Sequence, residues 1–277
     1  MSEDSSVQKL FDKVDTRLEE GEVINLLVNG RAPGHGVDLR HFSNLLYPFG
    51  YYSDSMKITD VYIAQNILRG ELGFSSQDKP GDFDILIIPS SNGKMLYDRT
   101  CVYEVKVVRP TRKKPSRNAN SMGVTQVLGL VDDGFPLVGL IHVCMTEPLK
   151  ENEKMSTKYS THKANSPEPP KVSFEDSLID VKVDHFSWWS ADNQIKRLLA
   201  FDIPKYVGVS AIGLNVKEDG GFSYSSCSQE FWGFESGYFN PHRKDETLQR
   251  LKDHFDKYVG KYTHIKLNQA INEPDFP

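Results

Sequence analysis

Apolar positions Val7, Leu10, Phe11, Val14 and Leu18 recur at the spacing of one helical face and predict a helix over residues 6–20, closed by Gly21. A short apolar piece at 23–28 follows, then the turn-rich string NGRAPGHGVD. A second amphipathic helix is predicted over 57–72, with Val61, Ile63, Ala64, Ile67 and Leu68 as its apolar positions and Gly70 near its end. The pattern then changes. Segments 82–89 (DFDILIIP) and 100–108 (TCVYEVKVV) are rich in β-branched and aromatic residues, and the SSNGK between them is a turn signal, so they predict an antiparallel hairpin. A basic loop, RPTRKKPSRNAN, leads to a helix predicted around 121–131. After Gly134-Phe135-Pro136, the nearly continuous apolar run LVGLIHVCM at 137–145 suits a fully buried strand. The expected order from 57 onward is helix, strand, strand, helix, strand.

Residues 147–176 are polar, rich in Lys, Ser and Pro, and are expected to be a mobile loop or insertion. Beyond it the pattern predicts a strand at 178–183, a helix around 192–199 and a strand at 206–216. A last helix is predicted at 245–262, with Leu248, Leu251, Phe255 and Tyr258 on one side. No internal repeat is present. The expectation is a single α/β domain over 1–277, a central mixed β-sheet flanked by helices. Its core spans about 57–146, the polar insertion 147–176 and a C-terminal elaboration 177–277.

Composition narrows the classes. At 277 residues with 38% hydrophobic and 11% aromatic residues, the chain can fill a sizeable core, which argues against global disorder. A net charge of -5 argues against a protein that coats nucleic acid indifferently, so any nucleic-acid contact must come from a local patch. Cys101, Cys144 and Cys227 lack zinc-ligand spacing and read as reduced thiols of an intracellular protein. The start MSEDSSVQKLFDK does not resemble a signal peptide, and no apolar run approaches the roughly 18 to 20 residues of a membrane span. A cytoplasmic location with no membrane partner is therefore expected.

Alternation of side chains along a strand puts Asp82 and Asp84 on one face, with Phe83, Ile85 and Ile87 on the other. On the second strand Glu104 and Lys106 share a face, opposite Tyr103, Val105 and Val107. If the strands pair, up to three carboxylates and one ammonium converge inside an otherwise apolar hairpin. Charges there must be paired or bind a metal. Asp84 and Glu104 are hard oxygen ligands suited to magnesium, or manganese as a substitute, and a neighbouring lysine can hold the attacking water and offset charge on a phosphate. The plainer reading is a cross-strand ion pair on a solvated face, which contributes little. Three acids to one lysine is unbalanced for that purpose.

The string Gly81-Asp82-Phe83-Asp84-Ile85-Leu86-Ile87, followed after a turn by Tyr103-Glu104-Val105-Lys106, resembles the PD-(D/E)xK nuclease superfamily of restriction enzymes, Holliday junction resolvases and repair exonucleases. It covers roughly a third of the chain, and Pro80 lies four residues before Asp84, displaced from the family's position. The resemblance implies a restriction-endonuclease-like core and a metal site formed by Asp84, Glu104 and the carbonyl of Val105. It further implies Lys106 beside the nucleophilic water and Gln126 on the following helix as an orienting residue. Some members add an acid on the preceding helix, where Asp60 and Glu71 are the candidates.

Arg109, Arg112, Lys113, Lys114 and Arg117 directly follow the second strand and read either as a phosphate-gripping loop or as a solvated one. His35 and His41 flank a Gly-rich turn and His142 sits in the buried strand; each reads as a core or capping histidine. Phe231, Trp232, Phe234, Tyr238 and Phe239, like Phe186, Trp188 and Trp189, read as core or lid packing, with stacking on unpaired bases as the alternative. The expected function is magnesium-dependent hydrolysis of phosphodiester bonds in nucleic acid, DNA rather than RNA. A second copy or a partner protein is an expected associate, since restriction-like enzymes often dimerise. The competing readings are a non-catalytic nucleic-acid-binding or assembly subunit retaining the fold, and a small-molecule hydrolase or purely structural protein.

Overall fold

Val61, Ile63, Ala64 and Ile67 are all buried, yet the segment carrying them is a strand, β1 (Asp60–Ile67), not the expected helix. Val61 and Ile63 face one core while Ala64 and Ile67 face the other. The parity changes at Asn66, whose φ of 52° is left-handed. A strand buried on both faces and kinked once imitates helical spacing, which is the reason for the difference. In the computed structural model residues 18–29, 58–75, 81–114, 123–147, 149–160, 178–216, 222–226 and 239–266 are described. Most of the helix expected at 6–20 lies outside them, as do His35, His41, Arg117, Cys227, Phe231, Trp232, Phe234 and Tyr238.

The stretch expected to be a short apolar piece after a Gly21 stop is instead helix α1 (Glu20–Asn29), with Val23, Ile24, Leu27 and Val28 buried. Gly21 falls in the first turn, where backbone N–H groups have no intrahelical acceptor to lose, so it does not end the helix. The hairpin forms as expected from β2 (Phe83–Ser91) and β4 (Cys101–Val108), with two-residue β3 (Lys94–Met95) folding back on β2. Helix α2 (Val124–Asp133) then crosses to β5 (Leu137–Cys144), which is buried throughout and parallel to β4. Leaving aside the two-residue β3, the order is therefore strand, strand, strand, helix, strand.

The polar segment expected to be a loop holds a short 3-10 turn, Glu151–Glu153, and strand β6 (Met155–Ser160), paired antiparallel with β7 (Leu178–Val183) in a separate ribbon. Its polar sequence, MSTKYS, lacks the alternation that betrays a half-buried strand. Helix α3 (Phe186–Leu199) begins earlier than expected, and the Asp184 carboxylate just ahead of it accepts the N–H of Phe186 at 3.0 Å. Strand β8 (Val207–Val216) follows parallel to β5 and pairs with β9 (Phe222–Ser226). Helix α4 (Asp245–Tyr258) ends before the expected 262, giving way to a 3-10 turn at Val259–Lys261 and edge strand β10 (Thr263–Lys266).

The central sheet is mixed, in the order β10-β1-β2-β4-β5-β8-β9, with β4, β5 and β8 parallel and the remaining pairs antiparallel. Helix α1 packs on one face, against Ile63, Ile85, Ile87, Tyr103 and Val105. The other face is covered by Val127, Leu130 and Val131 of α2, Ala191, Ile195 and Leu198 of α3, and Leu251 of α4. Two apolar layers on one sheet make an α/β fold of three layers. Among the described residues no helix is long and apolar enough to cross a membrane.

Candidate active site

The β2–β4 ladder runs through Ile87↔Cys101, Leu86↔Val102 and Ile85↔Tyr103, and goes no further. At the next position the Asp84 carboxylate takes over: its Oδ2 accepts the N–H of Val105 at 2.7 Å. Around this point the faces of β2 also change. Phe83 packs with Leu86 and Ile88, not with Ile85 and Ile87 as strict alternation predicts. Phe83 sits opposite Ile67, just past the left-handed Asn66 of β1, so both strands turn together. The kink therefore sits directly beside Asp84.

Glu104 is only 1% exposed, and Lys106 Nζ lies 2.7 Å from its Oε1. Its Oε2 has no hydrogen-bond partner among the described residues. A second carboxylate, that of Glu20, approaches from the first turn of α1. Its Oε1 lies 3.0 Å from Lys106 Nζ, and its Oε2 accepts the N–H of Val107 at 3.4 Å. The apolar periodicity puts Glu20 at the end of the helix predicted over 6–20 and so does not single it out. The readable signal was the 23/24/27/28 apolar stripe, which makes Glu20 the first residue of the helix that covers the sheet.

Electrostatics follow from this crowding. Burial, then the charges of Glu104 and Glu20, push the Asp84 carboxyl up to about 7 against the opposing Val105 N–H and Lys106. Burial also raises Glu104, with Glu20 adding and Lys106 opposing. Burial alone would lower Lys106, but its contacts with Glu104 and Glu20 outweigh that and hold its pKa above the ordinary value. The result is a lysine fixed in its ammonium form between carboxylates, next to an Asp that titrates near neutrality.

Gly123 precedes α2 with φ +87°; a Cβ there would lie 2.7 Å from Leu140 Cδ1, 3.2 Å from Lys106 Cγ and 3.3 Å from Glu104 Cγ. Only glycine lets the helix begin directly against the stems of the pair. Gln126 is half-buried in that helix's first turn, and its side chain forms no hydrogen bond to Asp84, Glu104 or Lys106.

The other sequence candidates go elsewhere. Asp82 is exposed ahead of β2, and its carboxylate accepts the N–H of Arg69 at 3.0 Å, closing the 3-10 turn Arg69–Leu72. Asp60 pairs in register with Ser90, at the far end of β2 from Asp84, and bonds His264 at 2.9 Å. Glu71 pairs with Lys261 at 2.7 Å. Asp60 lies on β1 and Glu71 in the 3-10 turn Arg69–Leu72, so neither is on an α-helix; the α-helix preceding the hairpin among the described residues is α1, which carries Glu20. The basic stretch is divided: Arg109 bonds the carbonyl of Leu18, Arg112 pairs with Glu153 at 3.0 Å, and Lys113 and Lys114 are exposed at a tight turn closed by Thr111 and Lys114. His142 is fully buried and its Nδ1 lies 3.0 Å from Gln194 Nε2 of α3. It is a core histidine. Phe186 is buried, whereas Trp188 and Trp189 are 48% and 53% exposed.

Among the described residues no three His, Cys, Asp or Glu side chains are disposed to hold a metal ion by themselves. The donor set that the resemblance requires is smaller: two carboxylates, a backbone carbonyl and water, a set that magnesium accepts. Glu104 fits it through a buried oxygen that no group among the described residues satisfies. Comparison with protein-family models, with curated proteins and with solved structures gives no match.

Proposed function

We propose that the chain is a metal-dependent phosphodiesterase acting on nucleic acid. The observation that carries this reading is the buried Glu104, ion-paired to Lys106 at 2.7 Å with its second oxygen unsatisfied, inside an otherwise apolar sheet. A buried charge pair is costly unless it is fully hydrogen-bonded, and a solvated surface pair would not be built this way. Asp84 and Glu104, with the Val105 carbonyl, would hold magnesium or manganese. When bound, the metal would polarise the phosphate and lower the pKa of water. Lys106 would position that water and offset charge growing on the phosphate, while Glu20 keeps the ammonium in place. DNA in preference to RNA follows from the PD-(D/E)xK resemblance alone, as does a role for Gln126. An intracellular setting suits this reading.

The test is cleavage of linear, circular, single-stranded and branched DNA, and of RNA, with and without magnesium or manganese, for wild type and Lys106→Ala. Metal-dependent cutting lost in the variant supports the reading. Cutting retained in Lys106→Ala would remove the mechanism. Neither cutting nor manganese binding by wild type would make the trio a structural charge cluster.

A further inference from the structure

From the exposed tryptophan pair Trp188–Trp189 we infer that the substrate contains unpaired bases, which stack on the start of α3 while the backbone leads to the Lys106 site. The inference rests on the nuclease reading, because it takes that site as the point to which the strand leads. Two adjacent tryptophans about half exposed are unusual on a surface helix, where large aromatics are normally covered. At this helix end the buried residues are Phe186, Ser187, Ser190 and Ala191. Trp189 meets the His185 ring edge-to-face at 6.1 Å, and about half of each tryptophan remains open to solvent.

Their place is set by the sheet register. Lys106, His142 and Ala211 form one row across β4, β5 and β8. Gln194 of α3 bonds His142 in that row, and Ser187, immediately before the tryptophans, accepts from Asn215 Nδ2 at 3.1 Å. Helix α3 thus runs antiparallel to β8, and its start lies beyond the same sheet end toward which the strand of Lys106 leads. Asn215 is four residues past Ala211, or about 13 Å along the strand and two strand spacings of about 4.8 Å across. A few nucleotides of extended single strand span that separation, whereas a base inside a duplex cannot reach a tryptophan face.

Two sets of contacts tie the basic turn after β4 to the start of α3. Arg112 pairs with Glu153, tying the basic turn after β4 to the base of the β6–β7 ribbon. Asp184 takes the N–H groups of both Leu149 and Phe186, tying that base to α3. Glu151, Glu153 and Asp192 are each engaged by a base, while Lys113 and Lys114 form no ion pair among the described residues. Exposed aromatic rings together with exposed lysines are the combination that binds single strands, by stacking and by phosphate neutralisation.

The experiment is fluorescence anisotropy of a labelled oligo-dT and of a labelled hairpin duplex, with EDTA present, for wild type, Trp188→Ala/Trp189→Ala and Trp188→Phe/Trp189→Phe. Loss of oligo-dT affinity of roughly 5- to 150-fold per stacked base in the alanine variant is expected, with most of it restored by phenylalanine and little change for duplex. Equal oligo-dT affinity in wild type and the alanine variant would overturn the inference, and so would an equal loss for duplex. Binding of wild type to anionic vesicles but not to oligo-dT would also overturn it, assigning the patch to a membrane surface. Cleavage in magnesium is read separately. Duplex cutting without single-strand binding defeats this inference alone, and tryptophan-dependent binding without cutting under any metal defeats the nuclease reading alone.

Discussion

The N–H of Val105 donates to the Asp84 carboxylate at 2.7 Å, at the position where the β2–β4 ladder stops. A side chain here replaces a main-chain acceptor, so the two strands separate without leaving a buried donor unpaired. That separation places an acid from one strand beside the acid and the lysine of the next. The arrangement has consequences that can be measured.

Stability should fall as pH rises from about 4 to 7. The Asp84 carboxyl is raised to about 7 in the folded chain from an ordinary value near 3.8, so the folded state binds more protons than the unfolded state across that window. The stabilisation is complete below the ordinary value and lost as pH passes the folded one. Because Asp84 and Glu104 interact, the loss belongs to the pair. Urea unfolding at pH 5 and pH 8 should show a difference on the order of 2–4 kcal/mol that shrinks in Asp84→Asn. A pH-independent wild type would contradict this.

Manganese should reverse that loss. At pH 8 both carboxylates are more readily ionised, and a cation that binds only the folded chain adds stability by mass action. Thermal unfolding with and without manganese should show a rise in midpoint for wild type. The rise should be absent in Glu104→Gln, which keeps the shape and lacks the charge.

Glu20→Gln should separate function from stability. Glu20 is 41% exposed, so its pair with Lys106 contributes about 1 kcal/mol or less to folding. Cleavage should nevertheless drop, because the ammonium loses one of its two anchors. Denaturation and turnover measured on the same preparation decide this; a loss of several kcal/mol without a change in turnover would assign Glu20 a purely structural role.

Gly123→Ala should be costly. The residue's φ of +87° disfavours any Cβ, and the added carbon would meet Leu140 Cδ1 at 2.7 Å. Destabilisation of more than about 1 kcal/mol is expected, with reduced cleavage because the stems of Glu104 and Lys106 must shift. Wild-type stability in the variant would show that α2 does not begin against the pair.

Much of the candidate site's residue cluster was legible in the sequence. Asp84, Glu104 and Lys106 stand out because charges inside β-branched runs violate the local pattern, and the structure brings all three together. Asp82 violates the same pattern but only closes the turn at Arg69, a role that depends on a contact 13 residues away in the chain. Glu20 lies 86 residues from Lys106, and no local spacing relates them.

Strand identity at β2, β4, β5 and β8 was determined by the sequence itself, because β-branched runs bounded by turn signals suit one local conformation. The basic turn after β4 and the helix after it were equally readable. Tertiary structure alone decided that 60–67 is a strand, since its apolar residues serve two cores and Asn66 shifts their parity. It also decided that polar β6 finds a partner in β7, and that Phe186 is buried while Trp188 and Trp189 are left exposed. Periodicity reports which residues avoid water. Which surface covers them is set by elements distant in sequence, and that information exists only once the sheet and its helices are assembled.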